Sequence, residues 1–175
     1  IYTDTGGFKY AGTTHKTLVI ASQLAKIYPK FSQLIFDIEN NDPPERLKLI
    51  SLLLGSIEIY YSGHVAIASL SYEDIKKHQL ESVVNTSYSD VANMIKSVIG
   101  WDIALVFVEI QPQTVKVSFR TRDSRTYDLS QIAVATKAGG GHKAAAVATI
   151  NQPLSEAKTL VLQIIKKLHP KIDKI

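Results

Sequence analysis

The chain has 175 residues, 45% hydrophobic and 21% charged, with a formal net charge of +4. That balance excludes a low-complexity or disordered class and is enough for one full domain with an appended piece. The absence of cysteine excludes a disulfide framework and a thiolate metal site, and makes a reducing cytoplasm the simplest setting. No apolar run approaches the roughly 18 residues of a membrane span and no signal-peptide pattern opens the chain, so no membrane partner is expected.

The first segment, "YTDTGGFKYAGTT", places Asp4 in a Gly-rich turn. Asp-Thr-Gly also opens the aspartic protease signature, but a helix follows almost at once and no second half-site appears. A carboxylate there can ligate Mn²⁺ or Mg²⁺, or it can simply close an Asx turn. Thr13 or Thr14 then caps a helix carrying Leu18, Ile20, Ala21, Leu24 and Ile27, which Tyr28-Pro29 breaks. A second helix is predicted over Ser32 to Glu39. "ENNDPPERLKLISLLLGS" reads as a connector: polar residues, prolines suited to a first helical turn, and an apolar run closing at Gly55. These features predict a division into 1–41, a linker helix over 42–56, and a larger domain over 57–175.

In that domain "SIEIYYSGHVAIASLS" predicts two strands joined at Ser62-Gly63. Ser71 with Asp74 three residues on matches a capping box for a helix over Tyr72 to Gln79. A further helix is predicted over Ser89 to Ile99, ending at Gly100. Two strands follow, "DIALVFVEI" and "TVKVSFRTR", the second alternating Val115, Val117 and Phe119 with Lys116, Ser118 and Arg120. A short helix over Leu129 to Thr136, a strand in "AAVATI" and an amphipathic helix over Leu154 to Leu168, with Leu160, Ile164, Ile165 and Leu168 inward, complete the chain. Strands and helices mix without regular alternation, so the class is α/β to α+β, with a mixed β-sheet flanked by helices.

The surplus charge is unevenly placed. Lys116, Arg120, Arg122 and Arg125 crowd the segment 111–125 against Asp123 alone, and Lys137 and Lys143 flank the run Gly139-Gly140-Gly141-His142. Successive glycines let backbone N–H groups converge on an anion, with the following His142 and Lys143 adding charge. The alternative is a flexible helix-to-strand turn with a surface histidine; the small run 144–146 allows close packing beneath the loop and favours a built site. On a strand, Arg120 and Arg122 would share one side about 7 Å apart, suited to neighbouring phosphates; the alternative is two solvated arginines at a strand end. His15, His64, His78 and His169 show no metal-ligand spacing and read as surface or capping residues, and Trp101 reads as a core anchor.

Taken in order, "DTGGFKYAGTT", "PPERLKLISLLLGSIEI", "VKVSFRTR" and "GGGHKAAA" followed by a closing helix resemble the DHH family of phosphoesterases. The resemblance is in particular to the branch of nanoRNases and pAp phosphatases, related to RecJ-type exonucleases. The resemblance implies an N-terminal domain with two divalent metals, usually Mn²⁺, held by aspartates and an Asp-His-His motif. A linker then leads to a DHH-associated domain that binds the nucleotide. By position, Asp4 corresponds to the last metal-ligand aspartate of the catalytic domain. Arg120 and His142 correspond to phosphate binders, with Gly139 to Gly141 as the supporting loop and Arg122 and Lys143 beside them. Ala138 stands where the family usually has a further glycine, and Val147 where a glycine follows the small-residue run. Because Asp-His-His occurs nowhere here, the resemblance implies the C-terminal part of a longer cytoplasmic enzyme, inactive by itself. Its substrates would be short single-stranded RNA or DNA, pAp or a dinucleotide. A homodimer of the parent enzyme is a further expectation. A non-catalytic single-stranded nucleic-acid-binding module is the rival reading.

Overall fold

The computed structural model describes residues 1–10, 12–84 and 88–173. Ala11, inside the quoted turn segment, and positions 174–175 of the predicted larger domain lie outside them. The chain separates into two compact units, Ile1–Pro43 and Pro44–Ile175.

Unit one begins with turns. Thr5, Gly6 and Gly7 donate backbone N–H groups to the carbonyls of Ile1, Thr3 and Tyr2, and Gly6 and Gly7 take positive φ values of 57° and 67°. Helix α1 (His15–Ile27) starts at Thr14, whose hydroxyl accepts from the Thr17 N–H while the Thr17 side chain accepts from the Thr14 N–H, a reciprocal capping box. Helix α2 (Phe31–Glu39) follows Pro29, and the Tyr2 hydroxyl hydrogen-bonds the Glu39 carboxylate. Neither helix contains a buried residue. Ile27 is 79% exposed and Phe36 58%.

Unit two carries the core. Helix α3 (Pro44–Gly55) starts at the second proline of the connector. It was expected as a linker, yet it inserts Leu49 and Leu53 into the core of unit two, and Arg46 pairs with Asp90. The elements that follow are β1 (Glu58–Tyr60), β2 (Val65–Leu70), α4 (Tyr72–Lys77), α5 (Ser89–Lys96), β3 (Ile103–Gln111), β4 (Thr114–Thr121), α6 (Leu129–Ala135), β5 (Gly139–His142), β6 (Ala145–Ile150) and α7 (Leu154–Leu168). They form one six-stranded sheet of order β1-β2-β3-β4-β6-β5, parallel between β2 and β3 and antiparallel elsewhere. The fold is therefore the mixed sheet with flanking helices that the sequence predicts.

Several local outcomes differ from expectation. The β1–β2 connection is a 3-10 turn over Tyr61–Gly63, with Tyr61 and Ser62 in left-handed backbone, rather than a bare two-residue turn. Helix α5 stops at Lys96 instead of Ile99, and the Ser97 hydroxyl donates to the Met94 carbonyl just beyond its end. In α7 the buried residues are Ala157, Val161 and Ile165. Leu160 and Ile164 pack at the margin and Leu168 is exposed, because the inward stripe is rotated from the one expected. Ser71 does cap α4 through the Asp74 N–H.

The two faces of the sheet are filled differently. One buries Ile67, Leu105, Phe107, Val117, Phe119, Ala146 and Ala148 under α6 and α7. The other buries Ala66, Ala68, Ala104, Val106 and Val108 under α3, α4 and α5. This second cluster ends at β3. On β6 the residues pointing the same way, Val147 and Thr149, are exposed and Ala145 is half-exposed, so the sheet is open over β6 and β5.

Candidate functional site

Strand register brings Arg120 and His142, of the sequence-predicted residues, together on this open face. Arg120 is opposite Ala145 across β4–β6, and Ala145 is opposite His142 across β6–β5. Cross-strand partners point to the same side of a sheet, so His142, Ala145 and Arg120 form one row. With strands about 4.8 Å apart, the two cationic or polar residues flank a single methyl group over roughly 10 Å. The next row is Gly140, Val147 and Ser118, with Val147 58% exposed.

The glycine run is a strand and not the loop that the sequence suggested. Gly139 to His142 form the outer strand β5, paired to β6, so their backbone groups alternate between the ladder and a free edge instead of converging in a nest. The three glycines differ in cause. A Cβ on Gly139 would fall 2.4 Å from the Val147 carbonyl oxygen and 2.6 Å from the Ala148 Cβ; one on Gly141, whose φ is +143°, would fall 2.6 Å from the Ala146 Cα. Those two are dictated by packing against β6. Gly140 lies on the open face with nothing within 4 Å of the same added atom and no positive φ, so packing does not require it.

Lys143 and Ala144 form the β5–β6 turn. The Lys143 carbonyl accepts from the Leu129 N–H at 3.0 Å and the Ala144 carbonyl from the Thr121 N–H at 3.3 Å. The Lys143 ammonium lies 3.9 Å from Asp128, the N-cap of α6. Arg120 is half-buried, and its guanidinium donates to the Phe119 carbonyl at 2.8 Å. Arg122 does not share a strand face with it, because β4 ends at Thr121. Its guanidinium instead donates to the carbonyls of Ser97, at 3.3 Å, and Val98, at 2.5 Å, where it closes the C-terminal end of α5.

The end of β4 is fixed by a pair that sequence reasoning placed on the surface. The His64 Nδ1 and the Asp102 carboxylate are 2.7 Å apart, with the His64 side chain 16% exposed. The Asp102 and Ile103 N–H groups donate to the His64 carbonyl, and the Asp102 carbonyl accepts from the Arg122 N–H and the Thr121 hydroxyl. Only the parallel β2–β3 register, with Val65 opposite Ile103, brings residues 64 and 102 together, so no local pattern announces them. His78 and His169 are C-caps of α4 and α7, as expected of them, and Trp101 packs at the margin of the α3–α5 core. Lys96, in the last turn of α5, is half-buried. Burial, and then the neighbouring Arg120 guanidinium, hold its ammonium below the usual lysine range.

Asp4 is exposed in the opening turns of unit one. Among the described residues no group of three or more His, Cys, Asp or Glu could hold a metal ion, and one carboxylate does not fit the two-ion site that the resemblance implies. Nor is any helix among them long and apolar enough to cross a membrane.

The geometry is thus an open sheet face bearing the row His142–Ala145–Arg120, bordered by a glycine-rich edge strand. The profile of the DHHA1 domain matches residues 63–169, and the chain belongs to that family. It is 30% identical over 169 residues to the bifunctional oligoribonuclease and PAP phosphatase NrnA of Thermus thermophilus, covering 95% of this chain and 48% of that protein. A probable bifunctional oligoribonuclease and PAP phosphatase NrnA of Streptococcus mutans is 30% identical over 139 residues, covering 79% of this chain and 42% of that protein. An exopolyphosphatase-related protein of Bacteroides fragilis superposes with a TM-score of 0.84 at 22% identity, covering 99% of this chain and 49% of that one, which shows a shared fold. The chain thus spans about half the length of the relatives it matches.

Proposed function

We propose that this chain is the C-terminal part of a metal-dependent phosphoesterase acting on short oligoribonucleotides, and on pAp, in which unit two holds a substrate phosphate on the open sheet face. The reading is carried by the row His142–Ala145–Arg120, kept clear by Gly140. Arg120 offers a planar fork of donors and His142 an exposed imidazole, with only a methyl between them. Such groups grip backbone phosphate and carry no base readout, so little sequence preference is expected. The 48% coverage of the Thermus thermophilus protein supports the view that the hydrolytic metal site belongs to the other half of a longer enzyme. Asp4 would be its ligand nearest this domain, supplied with Mn²⁺ or Mg²⁺ only in the whole protein.

The test is calorimetric titration of the chain with pAp and with short oligonucleotides. Arg120→Ala and His142→Ala should each weaken binding by about tenfold with unchanged unfolding midpoints. Unchanged affinity in both variants would remove these residues from the site. A two-nucleotide ligand should compete fully with longer strands, whereas a general single-strand-binding module gains affinity and salt dependence with length. No Mn²⁺-dependent hydrolysis is expected; turnover that survives Asp4→Ala would overturn the division of labour.

A further inference from the structure

No role has fallen to Ser118, yet it sits on the same face of β4 as Arg120, two residues back along the strand and about 7 Å away. Its side chain points away from the closed core, since its neighbours Val117 and Phe119 are both buried under α6 and α7. Across the strands it stands between Val106, part of the core under α3, α4 and α5, and the exposed Val147. Helix α5 packs on both β3 and β4, so Ser118 lies where that cover ends. The residue is only 8% exposed, and its hydroxyl has no hydrogen-bond partner among the described residues. Nor is its oxygen one of the wholly enclosed orphans, such as those of Tyr88 and Gln152. It therefore opens onto the row Gly140–Val147–Ser118.

We propose that the Ser118 hydroxyl binds the ribose 2′-hydroxyl of the nucleotide whose phosphate lies on the neighbouring row, and so makes the site prefer RNA to DNA. The inference rests on the reading of the row His142–Ala145–Arg120 as a phosphate site, and adds a sugar subsite to it. The row Gly140–Val147–Ser118 carries no charge, so it does not suit a second phosphate. A sugar is bonded directly to the phosphate and a base is reached only through the sugar, so the sugar is the group that the neighbouring row meets first. In pAp, and in the first residue of a 5′-phosphorylated dinucleotide, the 3′ and 5′ oxygens are both esterified. The 2′-hydroxyl is then the sugar's one free group that both donates and accepts. A serine hydroxyl does the same, and an unpartnered one gains a bond without breaking any within the protein. Beside it, the exposed Val147 methyls offer an apolar surface to the sugar's C–H groups, next to Gly140, which has no side chain.

The test uses the 175-residue chain with EDTA present, titrated with 5′-phosphorylated diadenylate and with the same dinucleotide carrying a 2′-deoxy sugar at its first residue. The wild type should bind the all-ribose ligand about fivefold more tightly. Ser118→Ala should weaken that ligand until the two agree within about twofold, with the deoxy ligand unaffected. Its unfolding midpoint should not fall, because the hydroxyl has no protein partner to lose. The wild-type comparison of the two ligands stands whatever the stability of the variant. No preference in the wild type, a preference that survives Ser118→Ala, or equal weakening of both ligands would overturn the sugar contact. If His142→Ala still weakens both ligands in those cases, the phosphate reading stands without it. Failure of the wild type to bind either dinucleotide would overturn that reading and this inference with it.

Discussion

On β6, adjacent residues live in different environments. Ala146, Ala148 and Ile150 are buried under α6 and α7, whereas Val147 and Thr149 are exposed on the other side. One face of the sheet is a closed core and the other is closed only as far as β3. The same division separates the glycines: Gly139 and Gly141 exist because β6 leaves no room for a side chain, and Gly140 sits where there is room. Within these three positions packing therefore accounts for two of the glycines and leaves the third unexplained.

The largest effect that would sharpen this contrast is on the closed face. Phe119 is fully buried among Phe107, Val117 and Ala146, and Phe119→Ala should lower stability by about 3–5 kcal/mol in urea unfolding. Its neighbour Arg120→Ala, on the open side, should cost less than about 1 kcal/mol while weakening phosphate binding. Equal losses of stability would mean that the open face is as tightly packed as the closed one.

The glycines give the next largest test. Gly139→Val and Gly141→Val each force a Cβ to within 2.4 to 2.6 Å of β6, so each should destabilise unit two by about 2–3 kcal/mol through overpacking or strained backbone. Gly140→Val should fall within about 0.5 kcal/mol of wild type and yet weaken pAp binding by filling the space beside His142 and Val147. Should Gly140→Val bind normally, the vacancy at that position has no ligand to serve. Smaller still is Arg122→Ala. It removes two hydrogen bonds from an exposed side chain to the carbonyls of Ser97 and Val98, just beyond the end of α5, for about 1 kcal/mol. Faster amide exchange around Ser97 and Val98 would report the loosened helix end.

Much of the fold was legible in local pattern. The alternation of Val115, Val117 and Phe119 marks β4, and the six wholly buried positions that open β3 suit a strand covered on both sides. Ser71 with Asp74 marks one helix start, and Thr13 or Thr14 marks another, of which Thr14 is the cap. Arg120 and His142 were legible as individuals because their residue types and glycine neighbours are unusual. Their shared row was not legible, since it depends on β6 lying between β4 and β5, and chain order does not reveal an inserted neighbour. The His64–Asp102 pair was invisible for the same reason: it is brought together only by strands distant in sequence. The expected glycine nest failed because Gly139 and Gly141 find a ladder partner in β6, and strand pairing satisfies their backbone better than a loop would.

The smallest effect returns to the closed side. His169 caps α7 and packs edge-on against Tyr127 at 5.0 Å between ring centroids, and burial holds its pKa below the ordinary 6.5. Its neutral form is thus favoured in the folded state, and the unfolded chain binds the proton more readily. Stability from this source is complete above about pH 6.5 and falls as pH drops from there through the lower folded value. The depressed carboxylates, Glu58 by Lys158 and Tyr60, Glu81 by Lys76, Asp123 chiefly by the Thr126 hydroxyl and Asp128 chiefly by the Ser130 hydroxyl, lose their contributions only as pH falls below the ordinary 4.5 of Glu and 3.8 of Asp. The two windows are separate. Unfolding midpoints measured between pH 7 and 5 should therefore decline slightly in the wild type and stay flat in His169→Gln. A decline of equal slope in the variant would assign that window to another group.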